Sequence, residues 1–196
     1  MSAVVLASRN LGKLAEMQSL FAPLGWTLRP VSDFSAHEPE ETEHTFAGNA
    51  LIKARHAAQV SGLPAIADDS GLSVDALGGA PGVQSAYYAG KPSNDKANNE
   101  KLLRELADVP DEKRGAEFVC VMAYVRRADD ASPVIAQAKW RGSILREPRG
   151  ANGFGYDPLF FVPDHRCASA ELPPEVKNRL SHRGQAAALL LEKLRG

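Results

Sequence analysis

Short apolar runs alternate along the chain with stretches whose apolar residues return at helical spacing. AVVLAS, residues 3 to 8, has the length and continuity of a buried strand. From Leu11 onward, Leu14, Met17 and Phe21 recur at helical intervals, which predicts a strand, a tight polar turn and a helix. TLRPV, residues 27 to 31, predicts a second strand, and Pro30 places it at a sheet edge or ends it early. HEPEETEH, residues 37 to 44, is an acidic loop. From Thr45 to about Gln59, the alanines with Phe46, Leu51 and Ile52 predict a long helix, capped by Thr45 or Thr42 and closed by Gly62-Leu63-Pro64. Asn49, Lys53 and His56 share one face of it.

LPAIAD, residues 63 to 68, predicts a short buried strand that ends at an acidic pair, Asp68 and Asp69, ahead of the loop LGGAPG. SNDKANNEKLLREL, residues 93 to 106, predicts a helix capped by Ser93 or Asn94. Residues 116 to 127 and 133 to 145 predict two long strands of a hairpin around the polar turn ADDAS. GANGFGYDPLFFVP, residues 150 to 163, is a Gly-rich loop feeding a short strand, and SHRGQAAALLLEKL is a terminal helix that Ser181 can cap. No repeat or low-complexity linker marks a domain boundary.

Composition narrows the function classes. The 196 residues carry 23 Lys and Arg against 24 Asp and Glu, a formal net charge of -1. A global attraction to nucleic acid or to an anionic membrane is therefore not expected. No apolar run reaches the roughly 20 residues that span a bilayer, and MSAVVLASRN lacks a charged n-region, so the expected location is the cytoplasm. Cys120 and Cys167 have neither CxxC spacing nor a His cluster, which argues against a zinc site or a disulfide framework; Cys120 reads as a buried small hydrophobe.

Four stretches carry candidate chemistry. SRNLGK, residues 8 to 13, lies between a strand and a helix start, where backbone N–H groups and Lys13 can cradle phosphate. It lacks the Walker A spacing, and taken alone a polar turn with a solvated Lys explains it as well. Asp68 and Asp69 repel each other and ask for a cation. In an extended strand they point to opposite faces, so serving one site requires a bend, which Gly71 permits. Magnesium takes oxygen ligands, commonly one or two carboxylates with substrate phosphates, while a carboxylate off the metal can accept a proton from water. Glu40 and Glu41 can bring a further carboxylate, and Lys53 either reaches a phosphate or solubilises its helix.

NGFGYDP, residues 152 to 158, lets the backbone approach a ligand closely. Phe154 or Tyr156 can stack on a planar ring and Asp157 can accept from a ring N–H, although a tight turn has the same composition. VKNRLSHRGQ, residues 176 to 185, supplies Lys177 and Arg183, with His182 at the start of the last helix. A Ser70-His182-Asp triad lacks the GxSxG elbow and is disfavoured.

Together, SRNLGK, EETEHTF, NALIKARHAA, PAIADDSGLSVDALGGAPGVQSA, GFGYDPLFFVP and SHRGQA resemble, in order, the inosine triphosphate pyrophosphatase family, the bacterial dITP/XTP pyrophosphatases that remove non-canonical purine nucleotides. The resemblance runs from residue 8 to residue 186. It implies an α/β fold and a single pyrophosphatase domain over residues 1 to 196, with a central mixed twisted sheet, helices and two lobes around a nucleotide-binding cleft. It also implies a homodimer and Mg2+-dependent hydrolysis of a nucleoside triphosphate to monophosphate and pyrophosphate.

By the same resemblance, Ser8, Arg9, Asn10, Leu11, Gly12 and Lys13 match the triphosphate turn, with Asn10 and Lys13 as side-chain contacts. Glu41 matches the acidic metal position, with Glu40 as its neighbouring alternative. Asp69 matches the proton acceptor and metal ligand, Asp68 its acidic neighbour, Ser70 a substrate contact and Lys53 a basic cleft residue. Phe154, Gly155, Tyr156, Asp157, Lys177, His182 and Arg183 match base recognition. The chain departs from the family pattern at Ser8-Arg9, where Thr-Gly is usual, and at Gln84, Tyr87 and Val176. Donors from Lys177, His182, Arg183 or backbone would favour a 6-oxo purine and reject the 6-amino group of adenine. A nucleotide-binding sensor without catalysis, or a pyrophosphatase for another modified nucleotide, remain alternatives.

Overall fold

Each apolar run becomes a strand and each helical period a helix in the computed structural model, which describes residues 2–195. The elements are β1 (Ser2–Leu6), α1 (Leu11–Phe21), β2 (Trp26–Pro30), α2 (Phe46–Ser61), β3 (Ala65–Val74), α3 (Asp95–Glu105), β4 (Gly115–Val125), β5 (Val134–Ile144), β6 (Phe160–Val162), β7 (Cys167–Ala168), α4 (Pro174–Leu180) and α5 (His182–Arg195). The strands form one sheet in the order β2-β1-β3-β4-β5-β6-β7. β1 runs parallel to β2 and β3, whereas β6 is antiparallel to β5 and β7, so the sheet is mixed and the class α/β, as expected. Pro30 ends the edge strand β2, where its missing N–H costs no ladder bond.

By contact density the chain divides into two compact units, neither of them contiguous in sequence. The first comprises Met1–Asp69, Cys120–Ala138 and Arg183–Gly196, and the second Ser70–Val119 and Lys139–His182. In the first unit the strands are buried on both faces, and their residues sort by parity. Val4, Leu6, Ile66, Cys120 and Met122 pack with Met17 and Phe21 of α1 and Leu190 of α5. Val5, Ala65, Ala67, Val121 and Ala123 pack with Ala50, Ala54, Ala57 and Ala58 of α2. A strand covered on both sides has no polar face, which is why these runs read as continuous apolar stretches. The second unit is held by Leu72, Val74, Leu102, Leu106, Leu159 and an aromatic group in which Phe118 and Trp140 lie 4.4 and 5.2 Å from Phe160.

Two local features depart from the sequence reading. β3 does not end at the acidic pair; it runs on through Asp68, Asp69 and Gly71 to Val74 as one strand. The reason is burial. Both side chains are buried and find cations, Asp68 at Lys13 and Arg183 and Asp69 at Lys53. α4 is a helix that the apolar pattern did not announce, begun by Pro174 at its first position, where a missing N–H is harmless.

Thr45 is the cap of α2, its hydroxyl accepting the Gly48 N–H at 3.1 Å. Thr45→Ala is expected to cost about 1 kcal/mol, a fall in Tm of about 2 to 4 °C for a chain of this size, measurable by thermal denaturation.

Candidate active site

The acidic pair organises the first unit. Because β3 stays extended through it, Asp68 follows Ile66 onto the α1/α5 face and Asp69 follows Ala67 onto the α2 face. Asp68 is buried between two cations: Lys13 Nζ lies 2.7 Å from Oδ1 and Arg183 Nε 3.4 Å from Oδ2. Arg183, from the first turn of α5, also reaches Glu16 of α1 at 3.4 Å. Burial penalises the Asp68 carboxylate, but Lys13, Arg183 and Lys53 outweigh it and hold its pKa well below the usual carboxylate range. The same burial works against the Arg183 guanidinium, and Asp68 with Glu16 raises its pKa in spite of it.

Asp69 is placed differently. Its Oδ1 accepts from Lys53 Nζ at 2.8 Å, and the same ammonium lies 3.0 Å from Glu41 Oε1. Its Oδ2 is buried with no hydrogen-bond partner among the described residues. Burial raises the Asp69 pKa; Lys53 only partly offsets this, and the charges of Glu41 and Asp68 add to it. Lys53 is itself desolvated, yet Asp69, Asp68 and Glu41 together raise its pKa. One carboxylate of the pair is thus locked ionised between cations, and its neighbour is kept basic with one oxygen uncommitted.

The acidic loop is fastened so that Glu41 arrives here. Asn49, buried on α2, accepts the Glu43 N–H at 3.0 Å, and Thr45 caps the helix just beyond. Arg9 reaches back to the same loop at Glu38, 3.1 Å away, and to the Ser35 carbonyl just before it, also at 3.1 Å. In the phosphate turn, Ser8 Oγ accepts the Asn10 N–H at 3.2 Å and Asn10 Oδ1 accepts the Lys13 N–H at 3.0 Å. The Asn10 side chain is therefore the cap of α1, and Leu11 and Gly12 form its first turn, whose N–H groups lie beyond the reach of intrahelical acceptors.

The residues expected at the base fall in the second unit, except Arg183. Asp157 is buried and organises the loop: Oδ1 accepts from Ser169 Oγ at 2.9 Å, and Oδ2 accepts both the Phe154 N–H at 2.9 Å and Lys177 Nζ. Gly153 has φ +78°, and a Cβ there would sit 2.1 Å from Asp157 Oδ2, so only glycine lets the carboxylate come this close. Phe154 is 46% exposed with Lys177 Nζ 5.1 Å over its ring. Tyr156 is buried, and its hydroxyl donates to the Ser85 carbonyl at 2.7 Å. Of the two aromatics that the sequence left open, Phe154 is thus the one presented for stacking.

His182 is buried and stacks on Phe118 at 4.7 Å and 11°. It belongs to the second unit and Arg183 to the first, although the two are adjacent in sequence and were expected to act together. Ser70, half-buried on β3, begins the second unit.

A family model described as the Ham1 family matches residues 4–193. The chain belongs to the Ham1 family. It is 58% identical over 191 residues to the dITP/XTP pyrophosphatase of Pseudomonas aeruginosa, covering 97% of this chain and 96% of that protein. It is 52% identical over 195 residues to the dITP/XTP pyrophosphatase of Escherichia coli K12, covering 100% and 99%. The structure of a HAM1 protein from Coxiella burnetii superposes with a TM-score of 0.92 at 51% identity, covering 100% and 99% of the two chains. The family that the motifs indicated is therefore the one that the whole chain matches.

Within this Ham1 chain, sequence reasoning did not find Glu16, Ser85 or Ser169, and it noted Asn49 only for its helix face. Glu16 could have been found one turn beyond Lys13, at the i+3 spacing that sets side chains on one helix face. Ser85 and Ser169 carry no local signal; each matters only because a distant side chain bonds to it.

Proposed function

We propose that this chain is a Mg2+-dependent pyrophosphatase of non-canonical purine nucleoside triphosphates. It hydrolyses dITP, ITP and XTP to the monophosphate and pyrophosphate, in the cytoplasm and as a homodimer. The observation that carries the reading is the division of labour in the acidic pair, a locked Asp68 beside a basic Asp69 with an uncommitted buried oxygen. The activity printed for relatives that match nearly the whole chain supports it. Among the described residues no helix is long and apolar enough to cross a membrane.

The donor set fits magnesium. Asp69 Oδ2 has no hydrogen-bond partner among the described residues, and Glu41 and Asp69 Oδ1 already share one cation, the Lys53 ammonium. Glu41 and Asp69 would hold the ion, two carboxylates leaving its other positions to water and phosphate oxygens. When bound, Mg2+ supplies positive charge against the phosphates and makes a nearby water more acidic.

The protein's own groups account for the rest. Asp69 orients the water that attacks the α-phosphorus and accepts its proton. The first-turn N–H groups of α1, with Lys13 and Lys53, take up charge on the leaving pyrophosphate, which is electrostatic stabilisation by groups already in place. Asp68 keeps Lys13 and Arg183 ordered. In the second unit, Phe154 stacks on the base, and Lys177 with backbone donors reads its 6-oxo group.

With Mg2+ present, the purified protein is expected to release pyrophosphate and monophosphate from dITP and XTP, with little turnover of dGTP or dATP. Comparable rates on dGTP and dITP would remove the house-cleaning role while leaving a pyrophosphatase. Orthophosphate in place of pyrophosphate would overturn the assigned bond.

A further inference from the structure

The loop that carries Phe154 is gripped from α3, by two residues that the motifs do not single out. Asp95 and Asn99 stand about one turn apart, so their side chains share a face of the helix. Asp95 Oδ2 accepts the Gly155 N–H at 2.8 Å, and Asn99 Nδ2 donates to the Gly155 carbonyl at 2.8 Å. On the other side of the aromatic residue, Asp157 Oδ2 accepts the Phe154 N–H, and the Phe154 carbonyl accepts the Asp157 N–H at 3.3 Å. All four main-chain polar groups of Phe154 and Gly155 are therefore bonded. Since Gly155 sits at φ +61° in a glycine-rich turn with many accessible conformations, these bonds select one of them.

The Asn99 amide shows what it is used for. Its Nδ2 donates to the Asp95 and Gly155 carbonyls, while its Oδ1 is buried without a hydrogen-bond partner among the described residues. Turning the amide over would set that oxygen against two carbonyl oxygens, so the donating orientation is fixed. A buried acceptor left unmatched is uncommon and points to a purpose outside the helix. α3 is a firm base for such a grip. Leu102 is in the core of the unit, and Asn98 donates to the Ser85 and Ala86 carbonyls, the first of which also receives the Tyr156 hydroxyl.

We propose that Asp95 and Asn99 are positioning residues, which fix the Phe154 ring in the orientation that stacks on the purine. The inference rests on the reading of Phe154 as a base contact, and the experiment separates the two. Steady-state kinetics with dITP would compare the wild type with Asp95→Ala, Asn99→Ala, Asp95→Asn, Phe154→Ala and the Asp95→Ala/Phe154→Ala double variant.

Each alanine variant on α3 is expected to raise KM by about 5- to 20-fold, part of what one stacked base is worth, with kcat within about twofold. Asp95→Asn keeps an oxygen that accepts from Gly155 and should stay close to wild type. With Phe154 already removed, Asp95→Ala should add little, because the two changes disable one interaction. Unchanged KM in both α3 variants beside a raised KM in Phe154→Ala would overturn the positioning role alone. So would full multiplication of the two effects in the double variant, or a fall in kcat that Asp95→Asn does not rescue. An unchanged KM in Phe154→Ala would instead remove the base contact itself, and the positioning role with it.

Discussion

Replacing Asp69 with Asn is expected to lower kcat by about 10²- to 10⁴-fold, the usual contribution of a positioned general base, while the fold survives. The amide is nearly the size of the carboxylate, and its Oδ1 can still accept from Lys53, which now donates at 2.8 Å. It cannot take a proton from water. Stability should change little, because the charge being removed is one that burial already disfavours, and Lys53 keeps Glu41 at 3.0 Å. Activity and thermal unfolding measured on the same preparation check both halves. An Asp69→Asn protein that retained more than about a tenth of the wild-type kcat would take Asp69 out of proton transfer.

Asp68→Asn should behave in the opposite way. Its carboxylate is the counter-charge of Lys13 and of a buried Arg183, which also pairs with Glu16 at 3.4 Å. Removing one partner of a buried charge cluster typically costs about 3 to 5 kcal/mol, because the other charges stay buried. For a chain of this size that corresponds to a fall in Tm of about 6 to 20 °C. The pH dependence has a definite sign. The folded-state pKa of Asp68 is depressed, so its contribution is complete above the unfolded value of about 3.9 and is lost only as pH falls through the lower folded value. The wild type should therefore keep this contribution through pH 4, and the stability gap between it and Asp68→Asn should narrow only in stronger acid. A Tm within about 2 °C of wild type at neutral pH, less than 1 kcal/mol on the same scale, would show that the cluster relaxes without Asp68. Side by side, the two Asn variants separate a residue that holds the site together from one that acts in it.

Most of the fold was legible because its signals are local. The repeat of Leu14, Met17 and Phe21, the cap at Thr45 and the alternation through Val134 and Ala136 each depend on neighbours in sequence, and the helices and strands formed where they pointed. The ends were harder to read. At Asp68 a polar pair in an apolar run looks like a stop, yet β3 continues because Lys13, Lys53 and Arg183 arrive from three helices to neutralise it. α4 was missed because seven residues hold too few apolar positions to show a period.

By itself the sequence determined the α/β class and the family and named the candidate residues of the site, because these rest on residue type, spacing and order. Only the tertiary structure decided how that set is divided. The alternation of an unbroken strand sends Asp68 to Lys13 and Arg183, and Asp69 to Lys53 and Glu41. Two neighbours that look equivalent in the sequence thereby acquire opposite proton affinities. It also decided that Phe154 rather than Tyr156 is exposed, and that Asp95 and Asn99 hold its loop. Burial and hydrogen bonds between residues 60 and 56 positions apart leave no mark on the local pattern, and burial and charge pairing are what set a carboxylate's pKa.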